Sequence, residues 1–196
     1  MANSDNFILS DDGTTVIGVY NRWVKCITIP DSVTEIGRDA FSECSSLQSI
    51  DIPYGVTEIG DRVFEDCTSL QSIDIPNSVA KIGDRAFDNC SSLQSIDIPK
   101  SVTKIGDMAF ENCSSLQSID VSKDNIYYAS VDGILFDKDL TVIVRLPPKY
   151  DDKEYVIPNS VTKMGIGAFA NCSSLQSIYI PNSVTEIGDR AFANCI

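Results

Sequence analysis

The segment Ile73 to Ser95, IDIPNSVAKIGDRAFDNCSSLQS, is followed at once by Ile96 to Ser118, which repeats it with four substitutions. Further full copies run from 27 to 49, 50 to 72 and 155 to 177, and a shortened one from 178 to 196. A fixed period of 23 residues means a solenoid, because such a unit is too small to bury its own apolar face and must stack on its neighbours. The chain is therefore expected to form one domain, residues 1–196, whose coils share a continuous core.

Within a unit the apolar residues say which side faces inward. Leu93, Ile96 and Ile98 have the spacing of a short strand that buries alternate residues and shows Ser95 and Asp97 to solvent. Pro99 ends its pairing. Val79 and Ile82 form a second inward run on the opposite side of the coil, followed by Gly83. That glycine recurs as Gly37, Gly60, Gly106, Gly165 and Gly188, which predicts a turn with positive φ at each. The DRAFDNC segment is too short for a stable helix, so one turn of 3₁₀ or α structure is expected, driving Ala86, Phe87 and Cys90 inward.

Six of the seven cysteines (Cys44, Cys67, Cys90, Cys113, Cys172 and Cys195) occupy one repeat position. Strands stacked about 4.8 Å apart would hold parallel side chains with their Cβ atoms too far apart for a disulfide. Free, buried thiols acting as small apolar residues are predicted.

Two stretches depart from the repeat. Residues 1–26 contain Phe7-Ile8-Leu9 and Thr15–Tyr20 around a polar turn, which reads as a hairpin capping the first coil of four regular repeats, 27–118. The next turn, residues 119–154, is 36 residues long and holds Val131–Phe136 and Thr141–Leu146 around Asp137-Lys138-Asp139-Leu140, predicting a projecting mid-chain hairpin. The repeat resumes over 155–196.

The charge and the missing residue types exclude several functions. A formal net charge of −13 lacks the basic clusters that nucleic acid requires. No apolar run approaches the ~20 residues of a membrane-spanning helix, and Met1–Asn6 is too polar for a signal peptide. The chain has no histidine, the usual partner of a nucleophilic Ser or Cys and the commonest metal ligand, so no catalytic residue, metal site or cofactor is expected. What remains is surface. Asp51, Asp74, Asp97 and Asp120 should form a column on one sheet face, with Tyr54 and Tyr179 beside it, and Tyr127 and Tyr128 lie next to the mid-chain hairpin. These eight are the candidate partner-binding residues, since exposed aromatic side chains are enriched at interfaces. The competing reading of the column is a solvated acidic face that limits aggregation.

The copies resemble the BspA-like leucine-rich repeats, whose coils read approximately L-x-x-I-x-I-P-x-S-V-T-x-I-G-x-x-A-F-x-x-C, over nearly all of 27–196. Tyr128–Phe136, YASVDGILF, is similar to that family's irregular coil. The resemblance implies a mostly β, right-handed leucine-rich-repeat superhelix of the α/β repeat type. It also implies a non-enzymatic protein-binding module, a surface or secreted adhesion protein whose partner is a host matrix protein. The alternative is a structural or engineered repeat scaffold, cytoplasmic in the absence of a signal, that forms a homodimer through its C-terminal coil.

Overall fold

A computed structural model of the chain, described over residues 6–195, is a mostly β solenoid with one coil per repeat. Met1–Asp5, most of the polar start considered above, and Ile196 lie outside the described residues. The short strands Glu35–Ile36, Glu58–Ile59, Lys81–Ile82 and Lys104–Ile105 pair in parallel, each residue opposite its own copy in the next coil. The N-terminal hairpin, Phe7–Leu9 with Thr15–Val19, joins this sheet through Thr15 and Val16 and covers the first coil as expected. On the other side, Cys26–Thr28 pairs with Ser49–Asp51 and Ser95–Ile98 with Ser118–Val121, while residues 72–75, where the third copy begins, belong to no strand. The rungs are looser there: the Gln94 N–H lies 3.4 Å from the Gln71 carbonyl, whereas Gln117 reaches Gln94 at 2.8 Å.

The turn segments correct two expectations. None of Gly37, Gly60, Gly83, Gly106, Gly165 and Gly188 has positive φ. The left-handed residues are instead those two and six positions later, such as Arg62 and Asp66 or Arg85 and Asn89. The glycines are required because the neighbouring backbone passes too close for a side chain: a Cβ at Gly83 would lie 2.5 Å from the Asp61 nitrogen. Nor is the DRAFDNC segment helical; it is a run of tight turns. A helix would spend its amides on its own carbonyls, whereas here Arg62, Phe64 and Asp66 donate to Asp84, Ala86 and Asp88 of the next coil at 2.8–2.9 Å. Left-handed φ at Arg62 and Asp66 accompanies this turning of the N–H groups along the solenoid axis, which adds a third ladder. Inside it Phe41, Phe64, Phe87 and Phe110 stack with ring centroids 5.3–5.7 Å apart.

The mid-chain insertion does not project. Tyr128–Val131, Ile134–Asp137 and Val142–Arg145 form a three-stranded antiparallel meander, and its last strand pairs in parallel with Lys163–Met164. Alternate residues of the central strand serve two cores: Leu135 packs with the N-terminal coils, Ile134 and Phe136 with the C-terminal ones. The insertion thus ends one sheet and starts another, as the N-terminal hairpin starts the first.

All seven cysteines are free. The buried thiols of Cys67, Cys90 and Cys113 each donate to the phenylalanine carbonyl of the preceding coil, Phe41, Phe64 and Phe87, at 3.1–3.2 Å. This explains why Cys suits the position: it fills an apolar gap and carries a weak donor. Burial pushes the Cys44 thiol up to about 11 and Cys113 and Cys172 to about 12. Cys26 alone is exposed. Thiol alkylation of the native protein followed by mass spectrometry is expected to modify Cys26 rapidly, with Cys44, Cys67, Cys90, Cys113 and Cys172 labelled only in denaturant. Labelling of those five at the rate of Cys26 would contradict a closed core.

Candidate binding face

The outward residue between two inward ones occupies the same place in every coil. In chain order it is Thr28, Asp51, Asp74, Asp97, Asp120, Val156 and Tyr179, of which Thr28 and Asp51, Asp97 and Asp120, and Val156 and Tyr179 stand directly opposite one another. All seven are exposed. A period of 23 residues with parallel pairing produces this column automatically, because the register places each residue on its own copy.

The column has two chemistries. Asp74, Asp97 and Asp120 line one open groove of about 500 Å³ together with Asn77, Pro99 and Lys123. At its ends the carboxylates are tempered by hydroxyls: Thr28 Oγ1 donates to Asp51 Oδ2 at 3.0 Å and Ser118 Oγ to Asp120 Oδ2 at 2.8 Å. Asp74 and Asp97 have no side-chain partner among the described residues, so their full acceptor capacity faces solvent. Like charges at the ~5 Å spacing of adjacent strands repel by about 1 kcal/mol in water, which a cationic partner would relieve. Beyond the insertion the strip turns apolar. Val156 is 66% and Tyr179 62% exposed, and Val156 also borders an apolar hollow of about 200 Å³ lined by Val131, Phe136 and Leu140.

The remaining candidates lie elsewhere. Tyr54, 82% exposed, occupies the repeat position of groove-lining Asn77, one coil earlier, and so stands at the rim. Tyr127 and Tyr128 are on the opposite side of the coil. Tyr127 is about half exposed, while Tyr128 is partly buried and its phenol oxygen accepts the Ile105 N–H at 2.9 Å, replacing the carbonyl that a further regular coil would have offered. Both amides are held by Asn125, which is fully buried: its Oδ1 accepts them at 2.8 Å while its Nδ2 donates to the Pro99 and Val102 carbonyls at 2.9 Å. Sequence reasoning missed Val156. The signal was present, since Val156 aligns with the aspartates once the fifth copy is set beneath the others. The exposed Tyr20 and Trp23 near the N-terminal hairpin were also missed and carry no repeat signal.

Among the described residues no three His, Cys, Asp or Glu side chains converge on a point that could hold a metal ion, because the carboxylates run in a line. No helix of the described residues is long and apolar enough to cross a membrane.

Residues 20–132 and 151–196 match the BspA-type leucine-rich repeat region, in six copies. No curated protein matches. Among solved structures, the pneumococcal vaccine antigen PcpA is similar, with 28% identity, a TM-score of 0.77 and coverage of 97% of this chain and 52% of that one. The chain thus spans about half the length of that antigen. A leucine-rich repeat protein of Eubacterium ventriosum is 25% identical with a TM-score of 0.73, covering 96% of this chain and 67% of that one. A leucine-rich cell surface protein of Faecalibacterium prausnitzii is 28% identical with a TM-score of 0.69, covering 96% and 72%.

Proposed function

The chain belongs to the BspA-type leucine-rich repeat family, and from that premise we propose that it is a non-enzymatic protein-binding module of the adhesion type, displayed at a cell surface or secreted. The observation that carries this reading is the outward repeat position, held before the insertion by Asp74 and Asp97, which have no side-chain partner among the described residues, and after it by exposed Val156 and Tyr179. Such a strip suits a matrix-protein segment with basic residues beside an apolar or aromatic one. The charges speed encounter and set register, and the tyrosine supplies buried area. The printed descriptions of PcpA as a vaccine antigen and of the Faecalibacterium protein as a cell surface protein agree with exposure to the exterior.

Surface plasmon resonance of the purified chain over immobilised extracellular-matrix proteins tests the reading. Saturable binding is expected, weaker at physiological than at low ionic strength. Asp97→Lys is expected to weaken it about tenfold or more, while Asp139→Lys in the exposed hairpin turn leaves it unchanged. Absence of saturable binding at either ionic strength, or equal effects of the two reversals, would remove the proposal.

A further inference from the structure

The irregular turn of residues 119–154 ends at a strand with one unpartnered edge. Glu154–Val156 pairs in parallel with Ser177–Tyr179 and with no other strand. The bonds to that neighbour come from alternate residues: the Lys153 carbonyl accepts the Gln176 and Ser177 N–H groups at 2.6 and 3.1 Å, and the Ile157 N–H donates to the Tyr179 carbonyl at 3.1 Å. In a parallel ladder the residues between these point their N–H and C=O groups the other way, so Glu154 and Val156 present theirs upstream. In a regular coil the preceding strand would meet them. Here that strand, Ser118–Val121, turns to the insertion: its Ile119 N–H donates to the Gly133 carbonyl at 2.8 Å and its Val121 N–H to Ser130 Oγ at 2.9 Å. The hairpin thus serves one of the two edges it separates, and the Glu154 and Val156 backbone groups have no partner among the described residues.

Between the hairpin and this edge lies the apolar hollow of about 200 Å³, walled by Val131, Ile134, Phe136, Leu140, Tyr155 and Val156. It is open to solvent, since Val131 and Val156 are both exposed. Its volume is below the roughly 300–1,000 Å³ typical of small-molecule sites, and it suits one large apolar side chain. The charged residue on its wall is Asp132, at the hairpin tip.

We propose that the Glu154–Val156 edge accepts an extended segment of a partner protein by strand addition, with one large apolar side chain seated in the hollow and a Lys or Arg beside it at Asp132. An open strand edge is a template for the backbone of another chain. Main-chain bonds supply affinity whatever the sequence of the added strand, and the hollow and the Asp132 carboxylate select which segment binds. The inference rests on the protein-binding reading above and assigns how the partner is held, at a place separate from the acidic groove of Asp74, Asp97 and Asp120.

Fluorescence polarisation of a labelled, end-blocked peptide, Ser-Lys-Val-Phe-Val-Lys-Ser, titrated with the intact chain tests this. Saturable binding is expected, weakened about tenfold or more when the peptide's Phe is replaced by Ala. N-methylation of one alternate set of its amides is expected to abolish binding and of the other set to be tolerated, because only every second N–H of an added strand faces the edge. Val156→Pro removes an edge N–H at a position where proline is compatible with a strand, and is expected to weaken binding about tenfold or more. Asp132→Lys is expected to weaken it several-fold, while Asp97→Lys leaves it unchanged. The proposal is overturned by no saturable binding, by equal effects of the two methylated sets, or by wild-type affinity in Val156→Pro. If Val156→Pro does not fold, Asp132→Lys decides with the methylated peptides, and unchanged affinity there overturns the assignment. A dimer of the chain alone that Val156→Pro dissolves would give the edge to a second copy and overturn it as well. Peptide binding without binding to matrix proteins would remove the adhesion reading and keep this one; matrix binding without peptide binding would do the reverse.

Discussion

Phe87→Ala is expected to lower the stability of the protein by about 3–5 kcal/mol, the largest effect of any single truncation in the core. The ring is fully buried and stacks on Phe64 at 5.3 Å and on Phe110 at 5.7 Å, so its removal strips one face from each of two other rings. Collapse around the void is hindered. The Phe87 N–H and carbonyl are both committed, one donating to Ala109 at 2.8 Å and the other accepting the Cys90 N–H and the Cys113 thiol at 3.1 Å. Moving the backbone to fill the space would break the ladder. Phe192→Ala is the comparison: that ring is only partly buried and its one stacking neighbour is Phe169, at 5.1 Å, so a markedly smaller loss is expected. Urea denaturation followed by circular dichroism measures both, and equal losses would mean that the column does not act as a stack.

Gly83→Ala is expected to cost about 3 kcal/mol, at the upper end of what overpacking ordinarily does. The added Cβ would stand 2.5 Å from the Asp61 nitrogen and from the Gly60 carbonyl carbon. Those atoms are backbone and are tied into the rung below. The Gly83 N–H itself donates to the Ile59 carbonyl at 2.8 Å, which draws the two coils together. Gly13→Ala separates this clash from conformational strain. Gly13 has φ +73 but open space around it, so the substitution should cost only the roughly 1–2 kcal/mol of a left-handed L-residue. Thermal melts of the two variants would reverse the argument if Gly13→Ala proved the more damaging.

These two positions also mark how far the sequence could be read. That a glycine is required in every coil was plain from its recurrence; why it is required was not. Positive φ and close approach leave the same signature in one sequence, and only the path of the neighbouring coil distinguishes them. The left-handed conformation falls on Arg62, Arg85, Met108 and Arg190, residue types that give no warning of it, and four residues later on Asn89, Asn112 and Asn194, a type that does. At Asp39, Arg62 and Arg85 it releases an N–H to the carbonyl of the next coil. The candidate face was more legible. Asp51, Asp74, Asp97 and Asp120 hold one repeat position and so fall in one column, and beyond the insertion, in a separate sheet, the same position pairs Val156 with Tyr179. The role of Tyr128 was hidden, since an aromatic residue beside a hairpin gives no hint that its hydroxyl will close a backbone ladder.

The sequence by itself determined the solenoid, its inward residues, phenylalanines and free thiols among them, and the acidic column. The reason is that an in-register repeat makes every residue the neighbour of its own copy, so one unit read correctly describes them all. The tertiary structure decided what happens where no copy exists. In residues 119–154 the contacts of each side chain depend on how a three-stranded meander wedges between the fourth coil and the resumed repeat. The shared core strand, and the Arg145 Nε and Nη2 and the Met108 and Phe110 N–H groups left without a partner among the described residues, arise there from packing between segments that do not resemble each other.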